Sequence, residues 1–150
     1  IPPIISVVAM ILWSRHSDKT NERTWHVALA CLTAAVGLAI AASTGSMFGL
    51  IAALTIVNVG ISCSKPPLWS MPTMFLSGAA AATGIATINS IGNLGGFAGP
   101  AMIGWVKDQT GSFAGGLYFV AGLLILSTVL TLVLSFTQKN KANSAELSNS

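Results

Sequence analysis

The sequence predicts an all-α, polytopic membrane protein. Two observations carry that prediction. The first is composition: Asp, Glu, Lys and Arg make up only 11 of 150 residues, or 7%, where a soluble globular chain carries about 25%. Apolar residues reach 53%, and the mean hydropathy is +0.75. The second is segregation of the charges. Arg23 and Lys65 are separated by 41 uncharged residues, Lys65 and Lys107 by another 41, and Asp108 and Lys139 by 30. A membrane span needs about 20 apolar residues. A 41-residue run drawn as one helix would be about 60 Å long, twice the hydrocarbon core, so each such run holds two spans and a turn.

The elements follow in order. Residues 1–13 (IPPIISVVAMILW) are too short to span alone and read as the end of a truncated helix, with Trp13 at the interface. The chain opens without Met, inside an apolar run and without the basic start of a signal peptide. It is therefore expected to be the C-terminal piece of something longer. Residues 14–25 (SRHSDKTNERTW) hold five charges and form an aqueous loop. His16 lies in it and His26 just beyond; both are read as solvated or interfacial groups rather than proton carriers. Residues 26–43 are the first full span, and STGS at 43–46 is a turn. Residues 47–76 form one long helix broken near 64–67, because Pro66, Pro67 and Pro72 each remove a backbone donor. A helix ending at 64 followed by a reentrant loop is the alternative. After a turn near 77–79, residues 79–106 form a glycine-rich span, KDQTGS at 107–112 an aqueous turn, and 113–136 a plainer span. The tail 137–150 is polar and expected to be disordered.

Loop charge sets the orientation. Arg15, Lys19, Arg23, Lys139 and Lys141 fall on one side and only Lys107 on the other, which puts the first loop and the tail in the cytoplasm. The same placement excludes a nucleic-acid site despite the net charge of +3, since no clustered basic face with readers is present. Cys31 and Cys63 lie in apolar runs and read as small buried side chains. The sequence holds no nucleophile–base pair, metal-ligand cluster or phosphate loop, so neither an enzyme, a metal nor a cofactor is expected.

Several residues stand out chemically. Lys65 is the one formal charge well inside a span, and an ionisable group there is a functional-site candidate, with snorkelling toward a headgroup as the bland alternative. Trp69 follows four residues on. Asn89 and Asn93 share a helix face, and amides in lipid must meet protein or water. Lys65 and Asn89 each lie about 15 Å from the turn between their helices, which brings them to one depth. Lys65, Trp69, Asn89 and Asn93 are therefore the candidate substrate-binding residues: an ammonium, an indole and amides suit an organic acid. Gly92 and Gly96, and Gly95 and Gly99, are spaced i, i+4 and form a small-residue stripe for close helix packing. In the first loop, Asp18 can accept hydrogen bonds from a neighbouring helix end, and Arg15, Lys19 and Arg23 can pair with acids elsewhere; together they make a candidate gating loop. A solvated, positive-inside loop is the plain alternative.

That loop resembles the motif between paired helices of major facilitator superfamily transporters, with Ser14 and Asn21 standing where the motif has glycines and Glu22 among its basic residues. PPLWSMPTMFLSG followed by INSIGNLGGFAGPAMIGWVKDQTGS is similar to helices ten and eleven of the bacterial anion:cation symporter branch of that superfamily. The resemblance covers nearly the whole chain and implies the C-terminal part of a twelve-helix bundle, from the end of helix eight through helices nine to twelve. It further implies proton-coupled uptake of a small organic anion (a sugar acid, dicarboxylate or aromatic acid) across the plasma (inner) membrane. The proton is then the coupling ion, and the missing N-terminal helices are partners. A small four-helix scaffold subunit of a larger complex is the alternative. The orientation has a direct test. A single cysteine at Thr44, in a chain lacking Cys31 and Cys63, is expected to react with a membrane-impermeant thiol reagent on whole cells, and one at Ser17 is not; labelling of position 17 alone overturns it.

Overall fold

The computed structural model describes residues 2–148 and contains five helices and no strand among them: α1 (Pro2–Thr20), α2 (Arg23–Ser43), α3 (Met47–Phe75), α4 (Gly78–Thr110) and α5 (Phe113–Ser148). Ile1 and residues 149–150 of the expected tail lie outside the described residues. Three stretches are long and apolar enough to cross a membrane: Arg23–Ser43, Met47–Met74 and Phe113–Thr137. The chain is an all-α, multi-pass membrane protein. At 33 residues α4 is long enough, but its apolar content is diluted by Thr83, Thr87, Asn89, Ser90, Asn93 and its glycines, and it is not among the three.

The charged segment 14–25 is not an extended loop. Helix α1 runs on to Thr20, and α2 begins at Arg23. Residues 14–20 contain neither Gly nor Pro, so nothing local stops the helix. The Thr20 hydroxyl donates to the carbonyl of His16 at 3.0 Å. The reversal occurs at Asn21, whose φ of 53° is left-handed; Asn is among the few non-glycine residues that visit this region. Helix α3 likewise continues through Pro66, Pro67 and Pro72 without the expected interruption near 64–67. Proline deletes one donor but itself favours helical φ, and helices in lipid tolerate it where neighbouring groups compensate. The Ser64 hydroxyl donates to the Ile61 carbonyl and the Ser70 hydroxyl to that of Pro67, both at 2.9 Å, beside rather than at the carbonyls of Ser62, Cys63 and Leu68 that the prolines leave without their usual donor. The 107–112 turn contracts to Gly111–Ser112: Gly111 takes φ 71° and donates its N–H to the Lys107 carbonyl at 2.7 Å. The expected disordered tail is helical as far as Ser148, because Ala142, Ala145, Glu146 and Leu147 favour continuation of α5.

Packing centres on α2. Ala30, Ala34 and Gly37 line its face toward α3 and meet Ala53, Val57 and Gly60 there; all six are buried. The approach is close enough to forbid a side chain. A Cβ on Gly60 would stand 2.6 Å from the amide nitrogen of Ala34 and 2.7 Å from the carbonyl oxygen of Ala30, and one on Gly37 would stand 2.9 Å from the amide nitrogen of Val57. Helix α5 packs on α2 through Ala121, beside Ala35, Leu38 and Val57. The buried Thr128 hydroxyl donates to Leu124 at 2.9 Å and reaches the Ala28 carbonyl at 3.4 Å. Helix α1 packs chiefly on α3. Helix α4 leans on α5, where Gly116 lies against Ile103, yet buries none of its own residues.

Gly60→Val is expected to destabilise the fold by about 1–3 kcal/mol, the usual penalty for overpacking, and to lower the thermal midpoint in detergent. Gly45→Ala, where a Cβ has nothing within 4 Å, is expected to leave it unchanged. Equal midpoints for both variants would contradict the close approach.

Candidate functional site

Two places in the fold gather polar and aromatic groups. One is a cavity of about 250 Å³ where four helices meet. Helix α3 supplies Leu68, Trp69, Met71 and Pro72, α4 supplies Ile88, α2 supplies Thr24, and α5 supplies Thr131, Leu134 and Ser135. The wall is mainly apolar, with an indole and three hydroxyls on it. Of the four candidate substrate residues, Trp69 lines this cavity. Lys65, one turn earlier on α3, does not, nor do Asn89 and Asn93, although Ile88 beside Asn89 does. The side chains of Lys65, Asn89 and Asn93 are exposed. Gly92, Gly95, Gly96 and Gly99 have open space where a Cβ would be, on a helix whose Ile91, Leu94 and Phe97 are also exposed.

The second place is the α1–α2 turn. Within the candidate gating segment, Arg23 Nη2 lies 3.7 Å from Asp18 Oδ1, so the Asp18 carboxylate faces the guanidinium at the start of α2 rather than a helix-end N–H. The Asp18 side chain is 65% exposed, and a solvated pair of this kind is worth under about 1 kcal/mol. Arg15 and Lys19 are exposed, and Ser17 between them is buried. Beneath this pair lies an arrangement that the sequence reading missed. His26 is 6% exposed, not solvated. Its Nδ1 is 2.7 Å from the Glu22 carbonyl oxygen, and its Nε2 is 2.8 Å from Nδ1 of the exposed His16. The Trp13 indole N–H donates to the His26 carbonyl at 3.2 Å, and the Trp13 and His26 rings pack edge to face with centroids 5.1 Å apart. Trp13 and His16 are three residues apart on α1, and His26 falls in the first turn of α2. That spacing carries the signal, but only once the reversal is placed at Asn21.

Known proteins similar to this chain share one theme. Two Agrobacterium vitis proteins named "Putative tartrate transporter" are 74% identical over 137 residues and 75% identical over 135 residues. These matches cover 91% and 90% of this chain, but 32% and 30% of the relatives. A "Quinolone resistance transporter" of Acinetobacter baumannii is 36% identical over 133 residues, covering 89% of this chain and 31% of that protein. All three are named as transporters, and this chain is similar to a part of each. In this the resemblance drawn from Ser14–Arg23 and from residues 66–112 is borne out. The chain spans about a third of the length of the curated relatives it matches. No family model and no solved structure matches it.

Proposed function

We propose that this chain is part of a secondary active transporter of the major facilitator superfamily, in its anion:cation symporter branch. It would take up a small organic anion together with protons, by alternating access across the plasma (inner) membrane. The observation that carries this reading is the 74–75% identity, over nine tenths of the chain, to two proteins named for tartrate transport. A hydroxy-dicarboxylate of that kind matches the chemistry of the candidate residues: the Lys65 ammonium for a carboxylate, Trp69 for the carbon skeleton, Asn89 and Asn93 for hydroxyls. The transporter names of the relatives favour this reading over a scaffold subunit. The α1–α2 turn and the end of α5 would face the cytoplasm, in keeping with the five-to-one bias of basic residues.

The partial coverage of the relatives supports two further parts of the reading. The open glycine face of α4, at Gly92, Gly95, Gly96 and Gly99, would meet further helices of a longer transporter, since small residues let backbones approach closely. Asp18 and Arg23, with Arg15 and Lys19 beside them, would act as a gate: their weak exposed pair can exchange partners as bundles rock. Differently named transporters align with about nine tenths of this chain, at 74% and 36% identity, so cargo choice would rest on individual side chains rather than on the helix frame.

The experiment is uptake of labelled tartrate and related organic acids by the full-length protein in whole cells. Lys65→Gln and Asn89→Ala are each expected to impair uptake with normal expression. A lost charge-assisted hydrogen bond, about 1.5–3 kcal/mol, corresponds to roughly a ten- to hundredfold drop. Lys65→Arg is expected to rescue only partly, because a planar fork does not replace a point charge. Normal kinetics in both variants would remove them from the site. Asp18→Asn is expected to cut the transport rate while leaving equilibrium substrate binding near normal. A large loss of affinity at an unchanged maximal rate would reject the gating role.

A further inference from the structure

The hydrogen bonds at the α1–α2 turn determine where protons sit. A backbone carbonyl only accepts, so the 2.7 Å contact to the Glu22 oxygen places a hydrogen on Nδ1 of His26. A neutral His26 then has a bare Nε2, and the 2.8 Å contact there must be donated by Nδ1–H of His16. The neutral His16 is left with a bare Nε2 on an exposed ring. We propose that His16 and His26 form a one-proton site: exposed His16 takes a proton from water, and the pair holds it across the 2.8 Å hydrogen bond. The proton adds to His16 Nε2. The hydrogen on His16 Nδ1 then passes along the 2.8 Å bond to His26 Nε2. One N–H bond forms on each ring and one breaks on His16; the transfer is reversible, so the single positive charge belongs to the pair. Both contacts survive with their direction matched wherever the charge sits: a charged His16 still donates from Nδ1 to His26, and a charged His26 donates to Glu22 from Nδ1 and to His16 from Nε2.

A second proton cannot be held in the same way. It would set two N–H groups face to face across 2.8 Å, and the pair must part. The turn between the helices is only Asn21 and Glu22, so the pair ties the end of α1 to the start of α2 while it holds no excess proton or one. The other titratable groups on these elements are Arg15, Asp18 and Lys19 on α1, Glu22 and Arg23 around the turn, and Cys31 further along α2, with Asp18 and Arg23 facing each other. The helices packed behind them carry Cys63 and Lys65 on α3 and Tyr118, Lys139, Lys141 and Glu146 on α5. The site does not rest on the transport reading and is tested without substrate.

The test uses the full-length protein in lipid. Solid-state NMR with ¹⁵N-histidine reads the nitrogen–nitrogen correlation across the His16–His26 hydrogen bond. Tryptophan emission reads His26 directly in a variant that keeps Trp13 alone, because the protonated ring in contact with the indole quenches it. On lowering the pH from about 8 to about 5, the range in which histidines change charge, the correlation is expected to persist through uptake of about one proton per pair, as Trp13 emission falls. It is expected to vanish when the second proton binds. His16→Asn, at an exposed position, is expected to abolish the correlation and displace the Trp13 response. His26→Asn is expected to remove both. Absence of the correlation at every pH would overturn the site, as would a Trp13 response identical in wild type and His16→Asn.

Discussion

The rest of the fold depends on the contact between the backbones of α2 and α3 at Gly37 and Gly60. Between helices in lipid there is no hydrophobic driving force, because the tails are as apolar as the side chains. Close packing and hydrogen bonds are what remain, and α2 uses both. Its small-residue face brings the α3 backbone within reach of the amide and carbonyl groups at Ala30 and Ala34. Its other side takes α5, with the buried Thr128 hydroxyl directed at Ala28. Because α2 is held from two sides, its first turn is held too, and with it His26. The polar cluster at the α1–α2 turn therefore has a rigid floor, although Arg15, Asp18 and Lys19 above it lie in water.

The two ends of the bundle differ in build. At one end, Thr44–Ser46 and Gly111–Ser112 are short reversals closed by local bonds: the Ser46 side chain accepts from the Gly49 N–H, and the Gly111 N–H donates to Lys107. The Lys107 ammonium lies 4.2 Å above the Phe113 ring, which covers the turn. At the other end, the Trp13 indole, two imidazoles and an ion pair crowd around a two-residue reversal.

Charge segregation made the number and approximate limits of the helices legible in the sequence, since a long run without charge cannot lie anywhere but in lipid or protein. Helix ends were less legible. Charge density suggested a loop at 14–25, yet water solvates a charged helix as readily as a charged loop, and only Asn21 breaks the pattern. Proline suggested a break in α3, yet the ring forbids one hydrogen bond without forbidding the helix. The packing surface was hidden for another reason. Glycine density drew attention to α4, whereas the close approach uses one glycine on each of α2 and α3 among alanines that look like ordinary apolar residues. Lys65, Asn89 and Asn93 stood out by residue type, but they are exposed here, and no local pattern decides what faces them. The histidine pair could not be seen because its members are ten residues apart and meet only through the turn.

The prolines of α3 have a mechanical consequence. Pro66, Pro67 and Pro72 cannot donate to the carbonyls of Ser62, Cys63 and Leu68, four residues earlier in each case. Three rungs of the ladder are thus missing within about two turns, on either side of Lys65 and Trp69. A rod with rungs removed over a short length keeps its axis at rest but bends there first under load. Two adjacent missing rungs, at Ser62 and Cys63, also leave acceptor oxygens that water can reach by entering the helix rather than by unfolding it. Helix α3 is therefore a stiff strut at its Met47 end and a compliant one at its Phe75 end, and any force applied between neighbouring bundles would be taken up as curvature beside Lys65.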